Sequence, residues 1–206
     1  MVTKALAGFP RYTSQVTYSG GDWETDYPLS NLTSLPLSRV ARSVGLASDE
    51  TFLIGELSQR RVLQVITLCG HNLSTPSAQW RIRTSSKVDW DGSGMSEDYT
   101  ADTTELTADS DDVTADVGGA SSQLHDSGWM DVWPRLPDSL VSWNKGNFWQ
   151  KKYRPEEIQG YPWHTAYYLP DEQFVGSFRI DIRDATNPDG YVQIGMVEVA
   201  SALEFE

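Results

Sequence analysis

At 206 residues the chain is long enough for one large β domain, or two small ones, with a substantial core. Its formal net charge of −13 argues against any role that rests on neutralising phosphates, so no nucleic-acid partner is expected. The single cysteine, Cys69, excludes an intrachain disulfide, and no run approaches the ~20 apolar residues of a membrane-spanning helix.

Residues 1–15 read as an extended arm, with Pro10 and no clear period, too short in apolar residues for a secretory leader. Val16 to Tyr18 form a first short strand. The stretch from Ser19 to Pro36 is dense in Gly, Asp, Ser, Asn and Pro, which is loop chemistry; Trp23, Tyr27, Leu29 and Leu32 are its expected anchors into the core. Arg39–Ser43 and Thr51–Leu57 read as the next strands. Arg60 to Arg83 then combines a nearly continuous apolar run (Val62, Leu63, Val65, Ile66, Leu68), a polar turn and an alternating strand. Trp80 and Ile82 share one face of that strand, and Arg81 and Arg83 the other. This stretch is expected to be the central hairpin of the scaffold, with Cys69 as a buried small residue.

After Arg83 the character changes. Residues 86–145 carry thirteen acidic and three basic side chains, so most of the net charge sits there. Thr-Ala-Asp recurs at Thr100, Thr107 and Thr114, but the apolar spacing of five and two does not match a coiled-coil heptad. The segment reads as an extended projection, and 86–163 as an acidic, aromatic-rich insertion within one domain spanning 1–206. Asp126–Trp143 packs back on the body with a strand near 139–143. His164–Leu169 is strand-like. In Phe174–Asp184, Phe178, Ile180 and Ile182 alternate inward with Arg179, Asp181 and Arg183 outward. Asn187-Pro188-Asp189-Gly190 is a turn, and Tyr191–Ala200 completes a terminal hairpin.

The order of several segments resembles the galactose-binding-domain-like, discoidin-type jelly roll of tailed-bacteriophage tail and baseplate proteins. They are YPLSNLTSLPLSRVARS (Tyr27–Ser43), VLQVITLCGHNLS (Val62–Ser74), AQWRIR (Ala78–Arg83), DSGWMDVWP (Asp126–Pro134) and FRIDIRDATNPDGYVQIGMVEVA (Phe178–Ala200). The resemblance implies an all-β jelly-roll β-sandwich of eight strands with long loop insertions. It also implies a place in a virion tail, assembled in the host cytoplasm beside other tail and baseplate proteins. A multi-copy symmetric ring would follow from the rotational symmetry of tails. Such folds often hold a structural calcium before the early strands, where Asp22, Asp26 and Asn31 lie here; no other cofactor is expected.

Sugar sites pair an aromatic platform with polar groups that bond hydroxyls. Trp90, Trp129, Trp133, Trp149, Tyr161 and Trp163 fall in irregular segments, and Arg81, Arg83, Arg179 and Arg183 are placed on outward strand faces. That set suits either a site for host surface glycans or contact with a neighbouring subunit, where aromatics and Arg are enriched. The acidic cluster from Asp89 to Asp98 lacks the ligand spacing of an EF-hand and reads as a solvated loop. His71, His125 and His164 have no partners at zinc spacing, and no nucleophile or phosphate-loop motif is present. The expectation is therefore a non-enzymatic tail-tip or baseplate assembly and attachment module, with a carbohydrate-binding module as the alternative.

Overall fold

The structure is a computed structural model, and it describes residues 5–74, 77–88, 123–133, 143, 151–154 and 163–205. The described strands are β1 (Ala5–Arg11), β2 (Val16–Ser19), β3 (Ala41–Arg42), β4 (Phe52–Cys69), β5 (Gln79–Ser85), β6 (Gln123–Asp126), β7 (Met130–Asp131), β8 (His164–Arg183), β9 (Gln193–Ile194) and β10 (Met196–Phe205). Two short 3-10 turns, Thr13–Gln15 and Leu29–Thr33, are the only helical pieces among the described residues. The result is an all-β jelly-roll sandwich, and every strand pair in it is antiparallel.

Two long strands organise it. β4 and β8 pair along nearly their whole length, but their register slips between Glu56 and Arg61 and again between Leu63 and Val65. An extra residue in a strand reverses which side chains face inward. In β4 the inward set is accordingly Leu53 and Leu57 before the slips and Ile66 and Leu68 after them; in β8 it is Leu169 first and Phe178, Ile180 and Ile182 later, all buried. Each strand therefore serves both layers. One layer holds β2, the first half of β4, the second half of β8, and β5 with β6 and β7 on its far edge; the other holds β1, β10, the second half of β4 and the first half of β8. Between them lies one apolar cluster including Leu32, Leu53, Ile66, Trp80, Phe178, Val197 and Val199. Tyr18 crosses it, its ring edge-on to Phe178 at 6.2 Å and its hydroxyl donating to the Val197 carbonyl at 3.5 Å. Burial pushes that hydroxyl's pKa up.

Several sequence expectations need correction. Arg60–Arg83 is not a hairpin: β8 lies between β4 and β5. The terminal hairpin is likewise absent, because β10 pairs with β4 and β1 and never with β8. Both errors have one cause, since neighbours in sequence are joined here through a strand more than a hundred residues away. The N-terminal arm is a strand, pairing from Ala5 opposite Phe205 to Arg11 opposite Ala200. Leu29 and Leu32 anchor the 19–36 loop as expected, with Trp23 partly buried against the core and donating from Nε1 to the Phe52 carbonyl at 3.2 Å. Cys69 is half-buried rather than buried, and burial and Glu198 push its thiol pKa up. The strand expected at 139–143 falls, apart from Trp143, outside the described residues.

Candidate functional site

The connections at one end of the sandwich converge. β3 and β9 form a two-residue ladder there, with Ala41 opposite Ile194 and Arg42 opposite Gln193. Alternation decides the rest: Ala41 and Ile194 are fully buried, so Arg42 and Gln193 face away from the core. The Arg42 guanidinium lies between two rings, 4.3 Å from the Tyr27 centroid and 4.2 Å from that of Tyr191, and one Nη donates to Gln193 Oε1 at 3.1 Å. Its backbone is fixed as well, donating to the Tyr27 carbonyl at 3.0 Å and accepting from Glu24 N–H at 2.9 Å. Its Nε is buried without a hydrogen-bond partner.

Asn72 joins this cluster to its surroundings. Its Nδ2 donates to Asp189 Oδ2 at 2.8 Å and to the Tyr191 carbonyl at 3.0 Å, while its Oδ1 accepts from Gln193 N–H at 2.7 Å. Beneath it, the buried Asp184 carboxylate accepts from Ser74 N–H at 2.7 Å, from the Ser74 hydroxyl and from Asn187 Nδ2 at 3.0 Å. The Asn187–Gly190 turn forms as expected, with Gly190 at φ 78°. Residues 71–74 and the 184–193 connection are thereby held as one body.

The neighbouring residue, His71, leads into an aromatic triad. Its ring meets Trp133 at 5.9 Å and Trp163 at 6.4 Å, and the two Trp rings meet edge-to-face at 5.5 Å. Trp133 is buried and donates from Nε1 to the Leu73 carbonyl at 3.1 Å, whereas Trp163 is 42% exposed. Trp163 is held further by its carbonyl, which accepts from Gly70 N–H at 2.7 Å. His71 Nδ1 accepts from Leu73 N–H at 3.3 Å, so the neutral ring carries its proton on Nε2, which is buried and has no partner. Burial, with His164 adding to it, pushes the His71 pKa down to about 4.

The second candidate region is the outer face of β5 and β8. Arg81 pairs with Asp126 through both Nε, at 2.8 Å, and an Nη. Arg183, exposed, lies over the Trp129 ring at 3.8 Å. Arg83 and Asp181 were expected outward, yet Arg83 is 2% exposed and bonded to Asp181 at 2.7 Å. Asp181 also accepts from Arg179 Nε at 2.7 Å, and the Arg179 guanidinium covers Phe52 at 4.1 Å. Arg83 is therefore part of a buried charge network and cannot present its head to a ligand. The acid partners drew these arginines down onto the sheet, a pairing that strand alternation does not foresee.

Of the residues proposed from sequence, Trp133 and Trp163 come together, Trp129 and Arg81 sit on the sheet face, and Trp90, Trp149 and Tyr161 lie outside the described residues. Tyr27, Arg42, Asn72, Tyr191 and Gln193 were not singled out as site residues. Only tertiary pairing of β3 with β9 brings them together, and no local motif announces it. Asp22, Asp26 and Asn31, the residues expected to hold calcium, lie on the described 19–36 loop. Asn31 Nδ2 is committed to the Val40 carbonyl at 2.9 Å, and no three His, Cys, Asp or Glu residues gather among the described residues. Calcium takes six to eight oxygens, typically with several carboxylates.

No protein-family model matches the chain, and no curated protein matches its sequence. Solved structures match by shape. The lectin binding domain of Lectinolysin, as a histidine mutant complexed with Lewis b, is 6% identical with a TM-score of 0.50, over 95% of this chain and 99% of that one. The family 32 CBM from Clostridium perfringens NanJ, in complex with galactose, is 8% identical with a TM-score of 0.48, over 97% and 100%. A family 89 glycoside hydrolase from Clostridium perfringens is 13% identical with a TM-score of 0.49; the match takes in 93% of this chain, which spans only 14% of the hydrolase. At such identities the likeness is one of fold alone, a jelly-roll β-sandwich.

Proposed function

We propose that the protein is a non-catalytic carbohydrate-binding module that holds a glycan at the loop end of the sandwich. The observation that carries this reading is the Arg42 guanidinium fixed between Tyr27 and Tyr191, with Gln193, Asn72 and Asp189 around it and the exposed Trp163 ring on the adjoining connection. Sugars are recognised by such pairs of ring faces and prepositioned donors and acceptors. Rigidity matters because ordering costs oppose weak polar contacts, and each of these groups is already tethered. Binding would be read on a glycan array and then by calorimetry. Arg42→Ala and Trp163→Ala are each expected to weaken binding by about tenfold or more while the far-ultraviolet circular dichroism of the fold is retained. Retention of no glycan, or full affinity in both variants, overturns the reading.

A second, finer reading sets this module in the tail tip or baseplate of a tailed phage, in several copies, presenting the loop end to host surface glycans. Besides the segment resemblance, it is supported by Leu35 and Leu37, 64% and 42% exposed, the kind of apolar surface a neighbouring subunit covers. Leu35 lines a shallow cavity of about 240 Å³ with Arg11, Thr13 and Met196. Mass spectrometry of purified virions is expected to detect the protein with its tail neighbours. Absence from the particles, with a free monomer in the lysate, removes this placement.

A further inference from the structure

We infer that the sugar bound at the loop end is an acidic one, and that its carboxylate is received by Arg42; this rests on the carbohydrate-binding reading and narrows it to a class of ligand. The chain has 29 acidic side chains against 16 Lys and Arg, so carboxylate partners are plentiful. Arg81, Arg83 and Arg179, all drawn down onto the sheet, each meet one. Arg42, half-buried like Arg81 and Arg179, meets none among the described residues: its one side-chain hydrogen bond is to the neutral Gln193. Two aromatic faces stabilise its charge without neutralising it. Its Nε is sealed from solvent, so the donors left for a ligand are those of the Nη edge. A guanidinium edge is a fork that matches a carboxylate with two parallel hydrogen bonds. Gln193 holds one Nη and thereby fixes the direction of the fork. Asn72, Gln193 and the exposed Asp189 supply the neutral and accepting groups that sugar hydroxyls need.

Uronic acids and sialic acids both carry such a carboxylate. The full chain would be titrated calorimetrically with a uronic-acid oligosaccharide and a sialylated oligosaccharide, each beside its carboxyl-reduced, neutral counterpart, at low and at physiological salt. For one of the two sources the acidic form is expected to bind at least about tenfold more tightly than its reduced form, with the preference shrinking as salt rises. In Arg42→Gln that preference should vanish while residual binding of the neutral form remains; Arg42→Lys, which keeps the charge but not the fork, should fall between. Equal affinity for acidic and reduced forms overturns the inference and leaves the carbohydrate-binding reading standing, as does a preference that survives in Arg42→Gln. Failure of every sugar to bind overturns both. Should Arg42→Gln not fold, the salt dependence of the acid preference in the unaltered chain decides: a salt-independent preference overturns the inference.

Discussion

Arg83 and His71 show how single residues carry this fold in opposite ways. Arg83 and Asp181 lie on the sheet's outer face yet are nearly sealed from water. Removing one member of a buried pair leaves the other charge without its counter-ion, which costs roughly 3–5 kcal/mol. Asp181→Ala, which takes a carboxylate away from both Arg83 and Arg179, is expected to lose about that much in urea denaturation; a loss under about 1 kcal/mol would show the network to be solvated. His71 is instead buried neutral, its pKa held down at about 4. Above the ordinary histidine value of about 6.5 both folded and unfolded states are neutral, and stability is at its full level. As pH falls from there to about 4, only the unfolded state takes the proton, and stability drops by up to 1.4 kcal/mol per pH unit, approximately. His125, whose pKa is also lowered by burial and which bonds Tyr167 at 2.8 Å, adds in the same direction. Melting temperatures between pH 4 and 7 should therefore slope less steeply in His71→Phe than in the unaltered protein. Parallel curves would mean that the ring is accessible to water.

At the scale of elements, β4 and β8 explain both what the sequence disclosed and what it concealed. The apolar runs at Val62–Leu68 and Phe178–Ile182 were legible because burial on a pleated sheet imposes either continuity or a period of two. Their joining to the segments before them was not. Polar stretches at Gln59-Arg60-Arg61 and Pro170-Asp171-Glu172 resemble chain breaks, whereas the structure passes straight through them with a register slip. Pairing partners were concealed for a related reason: hydrogen bonds between strands leave no local trace, so adjacent strands were read as hairpins that do not exist. The same limit governs the site. Trp133 and Trp163 stood out as aromatics in irregular segments, while Arg42 looked like an ordinary strand residue until β9 arrived beside it. One pairing depends on a missing side chain. Gly55 lies opposite Phe178, and a Cβ there would intrude on that buried ring. Gly55→Ala is expected to destabilise by about 1–3 kcal/mol through overpacking, measured as a lower urea midpoint at constant slope.

For the molecule as a whole, sharing two strands between both layers leaves neither layer a complete set of its own. A single cooperative transition is expected when fluorescence and far-ultraviolet circular dichroism are followed together. The open side of the sandwich is tied across by Thr165 Oγ1 donating to the Val132 carbonyl at 3.2 Å and by the stacked His125 and Tyr167 rings, which reinforces that coupling. Because the 22–31 loop is held by backbone and amide bonds and no carboxylate cluster, excess EDTA should leave the melting temperature unchanged. A fall of several degrees would reveal a stabilising metal after all.

The pairing of β1 with β10 has a topological consequence. Ala5 stands directly opposite Phe205, so the two ends of the described chain leave side by side, at the end of β10 remote from its start beside Cys69. A short linker could close the chain into a ring there without disturbing a strand. The ring could then be reopened at Gly128 or Gly190, turn positions with open space around them, to give a permuted protein with the same sheet order. Anything joined at Ala5 or Phe205 would leave the sandwich at the end remote from Arg42 and Trp163, so that surface stays free to meet a large target.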